Sequence, residues 1–152
     1  MNTIELKNVL KGRCSQEVEN RFQKIRKVLD DIKVSLQEES KSSAGDKHET
    51  GRAMLQIERE NAGRQLKEIE NLQLLIRKID ITVESDYARL GSLIYTNLGV
   101  YFISISIGEV TIEDENYYCI ALHSPIGNLL SGKIAGERFS INQREFIIKQ
   151  IL

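Results

Sequence analysis

The sequence predicts an α+β protein in which an N-terminal antiparallel α-helical coiled-coil hairpin precedes a small antiparallel β-sheet domain with one short helix. Apolar side chains recur at helical spacing through residues 1–80, and a short polar segment interrupts them at residues 44–50. After Asp80 the pattern changes to short runs rich in Ile, Val and Tyr, separated by turn residues. We therefore expect a helical domain over residues 1–80 and a sheet domain over residues 81–152.

The first helical arm carries the apolar repeat of a coiled-coil seam. Its apolar side chains are spaced by four, three, four, three and four residues, and the other faces of the helix are charged. Residues 3–13 are expected to form a separate short helix, joined to this arm through Gly12. The seam residues are Val18, Phe22, Ile25, Leu29, Ile32 and Leu36.

The second arm repeats this pattern more weakly, with Arg59 and Gln73 at two of its seam positions. Two such helices joined by a short connector can bury their stripes only against each other or a partner, which favours an antiparallel hairpin. With roughly 25 residues per arm and about 1.5 Å of rise per residue, the hairpin should reach about 35–40 Å. The apolar positions are Leu55, Ala62, Leu66, Ile69 and Ile76, widened by Leu72 and Ile79.

Two carboxylates, Asp46 and Glu49, lie in the polar segment at the end of the hairpin. The serines and the glycine of residues 40–45 favour the end of the first helix. Asp46 is placed to cap the second helix, with Glu49 three residues later as the acidic half of a capping box. Local spacing leaves this capping role and a chemical role both open, and His48 is not assigned a role.

Composition indicates a soluble protein of one or two small domains, since the 152 residues are 41% hydrophobic and 28% charged. No apolar run approaches the length of a membrane span, and the N-terminus has no signal-peptide core. We therefore expect a cytoplasmic protein without a membrane partner. Cys14 and Cys119 lie far apart without metal-ligand spacing, which favours free thiols over a disulfide.

The net charge of −1 divides unevenly along the chain. Residues 1–80 carry 16 basic and 14 acidic side chains, and residues 81–152 carry 5 and 8. A cationic surface along the hairpin would suit a phosphate backbone of DNA or RNA, whereas a solvated helix face is the favoured interpretation for most of these residues. The cations on the two arms are Arg21, Lys24, Arg26, Lys27, Lys33, Arg52, Arg59, Arg64 and Lys67.

The sequence of the C-terminal half predicts short strands separated by turns. It gives no sign of a catalytic site in this half. Pro125 should end a strand, and residues 126–130 can form the short helix. His123 beside Ser124 suggests a base and a nucleophile, but neighbours on an extended strand point to opposite faces, so ordinary turn chemistry is favoured. The chain contains no GxxxxGK[ST], GxGxxG, HExxH or paired CxxC motif. Strands are expected at residues 93–95, 100–107, 111–112, 117–122, 138–141 and 145–151.

Two segments of the chain carry motifs that occur in the same order in one known family. Residues 45–49 read Gly-Asp-Lys-His-Glu, and residues 124–137 read Ser-Pro-Ile-Gly-Asn-Leu-Leu-Ser-Gly-Lys-Ile-Ala-Gly-Glu before a closing hairpin. The first resembles the Gly-Asp-x-x-Glu signature at the coiled-coil tip of the Gre transcript-cleavage factors of bacterial RNA polymerase. The second resembles the end of the Gre C-terminal domain, so the resemblance covers nearly the whole chain and implies an FKBP-like sheet.

The resemblance also implies a function. The C-terminal domain would dock on bacterial RNA polymerase, and the hairpin would enter the secondary channel of the enzyme. Asp46 and Glu49 would then share a Mg²⁺ ion with the polymerase and orient the attacking water near the 3′ end of the nascent RNA. Such a protein stimulates the nuclease activity of the polymerase and is not itself an enzyme. The implied docking residues are Ser124, Pro125, Ile126 and Gly127.

The residues that follow the tip differ from the family pattern. Residues 50–53 are Thr-Gly-Arg-Ala, where Gre factors typically have Asn-Ala-Glu-Tyr. Arg52 therefore adds a positive charge where the family has an acid, which favours either contact with an RNA phosphate or a changed position of the tip. The same change favours a second interpretation, a secondary-channel regulator that acts by occupancy without cleavage. A third class, an FKBP-like prolyl isomerase, is suggested by architecture alone and has few aromatic residues for a proline pocket.

Overall fold

The computed structural model of the protein describes residues 1–41 and 45–152, and the side chains of residues 45–48 lie outside the description. The fold class predicted from the sequence is confirmed: two long helices precede a six-stranded, mostly antiparallel sheet with one short helix. The elements are α1 (Thr3–Lys41), α2 (Gly45–Lys78), β1 (Leu93–Thr96), β2 (Val100–Ser104), β3 (Gly108–Ile112), β4 (Glu115–Ala121), α3 (Pro125–Leu130), β5 (Arg138–Ile141) and β6 (Arg144–Ile151).

The predicted interruption at Gly12 is wrong, because α1 continues through it. A glycine inside a helix costs about 1 kcal/mol relative to alanine, and that cost is overcome when the helix buries an apolar face. Leu6, Leu10 and Cys14 form such a face on either side of Gly12. The second helix also begins earlier than expected, so residues 45–50 belong to α2 and not to the connector.

The chain forms two compact units. We call Val18–Gln73 the helical unit, and Met1–Glu17 together with Leu74–Leu152 the sheet unit. The grouping of the first 17 residues with the sheet follows from packing, because Leu6, Leu10 and Cys14 are buried and Cys14 contacts Ser104 of β2. The division of the chain into domains at residues 80 and 81 stays a prediction.

The helical unit buries the apolar seam that the sequence predicts. Every second seam position of α1 is buried, and the alternate positions are partly buried, as in a two-helix pair with one solvent-facing side. On α2, Arg59 is exposed at its seam position. The buried seam residues of this unit are Val18, Ile25, Ile32, Ala62 and Ile69.

The sheet has the strand order β3-β4-β2-β1-β6-β5. All neighbouring strands pair antiparallel, as the sequence predicts, except β2 and β4, which run parallel. The parallel pair arises because β3 lies at the edge and returns through a tight turn at Glu113 and Asp114, both with positive φ. That hairpin inserts β4 beside β2.

Both faces of the central strand β2 are covered. Its register places Phe102 beside Leu93 of β1 and Cys119 of β4, on the face that α1 covers. On the opposite face, Ile103 belongs to an apolar cluster that includes Leu130 of α3. Successive side chains of a strand alternate between faces, so a strand covered on both sides is mostly apolar. Ser104, at the end of β2, is polar and fully buried.

The closing hairpin differs slightly from its prediction. Asn142 and Gln143 form a two-residue turn with φ values of 51° and 66°, and Arg144 already belongs to β6. Left-handed backbone at both central positions is the type I′ geometry, whose twist matches that of the flanking strands. The turn therefore takes two residues and not three.

Candidate functional site

The end of the helical hairpin carries the two carboxylates on which the sequence hypothesis depends. Glu49 lies in the first turns of α2, and its side chain is exposed. Position 46 precedes it by three residues in the same helix, and positions i and i+3 of a helix are neighbours on one face. The side chain of Asp46 lies outside the description, so its predicted role as a cap stays a prediction.

The chemistry of this pair fits partial ligation of Mg²⁺. Mg²⁺ prefers oxygen ligands, keeps several waters and is commonly bound through one or two carboxylates. Glu49 offers an exposed carboxylate next to position 46, which matches such a partial set. Among the side chains that the structure describes, no group of three or more His, Cys, Asp or Glu residues is arranged to hold a metal ion.

Arg52 links the two helices one turn after Glu49. Its Nη1 donates a hydrogen bond to the Ser40 hydroxyl at 3.0 Å, and that hydroxyl donates to the Leu36 carbonyl at 2.9 Å. The Glu39 carboxylate lies over Gly51, where an added Cβ would be 3.3 Å from Oε1. These contacts fasten α1 to α2 one turn from Glu49. Sequence reasoning placed Arg52 at the tip but missed its partner on the other helix.

A groove of about 620 Å³ runs between the helices next to this link. Leu29, Leu36 and Leu66 contribute its apolar surface, and Asp30 is the acidic side chain in its lining. Four basic side chains also line it, which concentrates positive charge along one side of the hairpin. Part of the cationic surface that the sequence analysis considered is therefore gathered at one site. These basic residues are Arg26, Lys33, Arg52 and Arg59.

The predicted docking segment forms the N-terminus of α3, and two of its residues have structural roles. The Ser124 hydroxyl caps the helix by accepting from the Gly127 N–H at 3.1 Å, and it donates to the Ala121 carbonyl at 2.7 Å. Gly127 is buried, and an added Cβ would lie 2.0 Å from that same carbonyl oxygen. Pro125 is exposed and Ile126 packs on the core cluster. Docking through this segment stays a prediction.

The same contacts show that Ser124 is not paired with the neighbouring His123 as a nucleophile with its base. Ser124 uses its hydroxyl as a helix cap, so it is held by main-chain partners and not by a histidine. The His123 carbonyl accepts from the Asn128 amide at 3.4 Å. This is the turn chemistry that the sequence analysis favours for the His-Ser pair.

The fold brings together two cysteines that are distant in the sequence. Cys14 of α1 and Cys119 of β4 are both buried free thiols, and Cys14 Sγ lies 3.4 Å from Ser104 Oγ. Hydrogen bonds from Cys119 and Ser104 lower the pKa of Cys14 to about 7, although burial opposes this shift. The bond to Cys14 and burial raise the pKa of Cys119. Their pairing depends on how α1 packs on the sheet, which the sequence pattern did not reveal.

No helix within the described parts of the chain is long and apolar enough to cross a membrane.

Comparisons with known proteins find a similarity among solved structures and none among family models or curated sequences. No protein-family model matches it, and no curated protein sequence matches it. Among solved structures it is similar to the structure of the transcription factor Gfh1, with 15% sequence identity, 93% of this chain and 92% of that chain covered, and a TM-score of 0.34. A similarity at this identity and TM-score carries no argument about the family or the activity of the protein.

Proposed function

We propose that this protein is a Gre-like transcription elongation factor that binds bacterial RNA polymerase in the cytoplasm. In this proposal its helical hairpin enters the secondary channel, and Asp46 and Glu49 stimulate cleavage of backtracked nascent RNA by the polymerase. The observation that carries the proposal is the exposed carboxylate of Glu49, adjacent on one helix face to position 46, at the end of a helical pair.

The dimensions of the helical unit support this proposal. Residues 18–41 of α1 are helical throughout, which at about 1.5 Å per residue gives a length of about 36 Å. A narrow helical pair with acidic groups at its end suits delivery of those groups into a channel of another protein.

The chain's own residues would bind and position groups in this reaction. Bound Mg²⁺ would lower the pKa of a coordinated water and stabilise charge on the phosphate that is attacked. Glu49 would accept a hydrogen bond from a water and orient it, and its helix would fix the direction of the carboxylate. The link between Arg52 and Ser40 would hold the two helices together while this end is inserted.

A second candidate function is regulation by occupancy without cleavage. The observation that favours it is the basic groove next to the tip, in which Arg52 and Arg59 line the same cavity as Lys33. Cations in this position can hold an RNA phosphate in the channel without any contribution from the carboxylates. In this case the protein would slow or pause the polymerase, and it would release no RNA fragment.

The test is cleavage of RNA in stalled, backtracked complexes of the cognate polymerase with Mg²⁺. We expect the wild-type protein to release short 3′ fragments, and Glu49→Gln or Asp46→Asn to reduce that rate about 100-fold or more. Both changes keep side-chain size and remove the charge. Glu58→Gln is the matched control, because Glu58 is also exposed on α2 but lies nine residues further from the end.

Polymerase affinity, measured in the same preparations, separates the two candidates. Wild-type binding without any fragment would support regulation by occupancy and would contradict cleavage. Equal loss of activity in Glu58→Gln would show that the carboxylates at the end of the hairpin have no special role.

A further inference from the structure

A second cavity, of about 300 Å³, lies entirely within the sheet unit. It is bounded by the first turns of α1, by the segment 81–86 that follows α2, and by the end of β6. Ile4, Ile81 and Ile151 contribute apolar surface to it. Ile4 is 53% exposed, so an aliphatic group bound in the cavity could cover part of its side chain.

Lys7 lines this cavity and is only 3% exposed. Within the described residues, its ammonium group donates no hydrogen bond and forms no ion pair. Among the described residues, every fully enclosed side-chain nitrogen or oxygen has a hydrogen-bond partner. Because Lys7 Nζ has none among these residues, it is not fully enclosed, and the small exposed surface of Lys7 includes this atom. A charged group taken out of water without a partner is costly, and an anion reaching it through the cavity would offset that cost.

The charges around the cavity have two signs. Burial lowers the pKa of Lys7, Arg89 lowers it further by charge repulsion, and Glu84 raises it. Glu84 and Asp86 are exposed side chains that also line the cavity. The lining of the cavity therefore combines one largely buried cation with two exposed carboxylates. A ligand that carries one anionic and one cationic group would match both.

Main-chain and side-chain hydrogen bonds fix the walls. Asp80 Oδ1 accepts from Thr82 N at 2.9 Å and from the Thr82 hydroxyl at 2.6 Å, which shapes the start of the segment. Lys11 Nζ donates to the Ile79 carbonyl at 2.9 Å and ties α1 to the end of α2 beside it. These bonds restrain the start of segment 81–86 and the end of α2, which lowers the entropy cost of binding.

We propose that this cavity binds a small aliphatic amino acid, with its carboxylate paired to Lys7, its ammonium group facing Glu84 and Asp86, and its side chain against the isoleucines. The volume is at the lower end of the range for small-molecule sites, which suits a ligand of this size. The site lies in a different unit from the hairpin end and does not depend on the proposed role in RNA cleavage.

Titration calorimetry with the full chain tests this proposal with three probes of similar shape. L-leucine carries both charges, 4-methylpentanoate carries only the carboxylate, and isopentylamine carries only the ammonium group. We expect saturable binding of L-leucine, weaker binding of 4-methylpentanoate and none of isopentylamine. Lys7→Met should weaken L-leucine binding at least about tenfold. Lys78→Met, an exposed lysine of the same unit, should leave it unchanged.

A measurement on the wild-type protein keeps the test valid if Lys7→Met does not fold. The ¹³C resonance of the Lys7 ε-methylene should shift on addition of L-leucine, and the pKa that it reports should rise, because a carboxylate stabilises the ammonium form. No saturable binding at millimolar L-leucine would overturn the proposal. Equal affinity of wild type and Lys7→Met, or tighter binding of isopentylamine than of L-leucine, would overturn it too.

Discussion

Replacement of Gly127 by alanine tests the closest backbone approach in the sheet unit. The new Cβ would lie 2.0 Å from the Ala121 carbonyl oxygen and 2.8 Å from the Leu122 carbonyl oxygen. Ordinary contact begins near 3.4 Å, so the backbone must move by more than 1 Å. The Ala121 carbonyl also accepts from the Ser124 N–H at 3.1 Å and from its hydroxyl at 2.7 Å. Any relief of the clash therefore disturbs both hydrogen bonds.

The expected loss of stability follows from these contacts. Overpacking costs about 1–3 kcal/mol, and each disturbed hydrogen bond costs about 1 kcal/mol, so Gly127→Ala should destabilise the unit by about 3–5 kcal/mol. For a chain of this size that corresponds to a decrease in Tm of roughly 10 °C. Urea and thermal unfolding should be followed by tyrosine fluorescence, because all five tyrosines lie between residues 87 and 118 and the chain has no tryptophan.

Gly12→Ala is the matched control in the same unit. An added Cβ at Gly12 meets nothing within 4 Å, and the residue is exposed inside α1. Alanine should therefore stabilise the protein by about 0.5–1 kcal/mol through its better helix propensity. Suppose the free energy of unfolding of Gly127→Ala lies within about 1 kcal/mol of the wild-type value while Gly12→Ala behaves as expected. The close approach at Gly127 then does not limit the size of this residue.

Two further predictions concern the sheet unit. Ser124→Ala removes the α3 cap and should cost about 1 kcal/mol of unfolding free energy in urea. Ser124→Thr keeps a hydroxyl that can both accept from Gly127 and donate to Ala121, so it should cost less, and equal losses would contradict the capping role. Burial and the 3.0 Å hydrogen bond to Glu115 raise the pKa of Tyr117 to about 12, above its ordinary value near 10. The neutral phenol is thus favoured in the folded state, so its contribution to stability is complete below pH 10 and is lost between about pH 10 and 12. Absorbance titration should show a late-ionising tyrosine that Tyr117→Phe removes, and an unchanged titration curve in that variant would contradict the assignment.

The sequence predicted the helical unit well because helix periodicity is a local signal. The seam positions Val18, Ile25 and Ile32 are buried as expected. The prediction failed at Gly12 because the low helix propensity of one glycine is outweighed by the burial of the apolar face around it. Helical periodicity also could not show that the first turns of α1 pack with the sheet. The apolar positions of α1 keep helical spacing along the whole helix, whether they pack on the sheet or on α2.

Contacts between distant segments were beyond the reach of local patterns. The parallel pairing of β2 with β4 depends on where β3 finds an edge, and the meeting of Cys14 with Cys119 depends on that pairing. The burial of Lys7 was not predictable either, because a lysine in an amphipathic helix ordinarily extends its charge to solvent. Part of the candidate site was predictable, since the position of Glu49 near the hairpin end follows from the motif.

The most direct test of the proposed function is the release of 3′ RNA fragments from backtracked complexes by proteins that bind the polymerase equally well. We expect fragments with wild type and Glu58→Gln, and almost none with Glu49→Gln. Fragment release by Glu49→Gln at the wild-type rate would contradict the role assigned to the hairpin carboxylates.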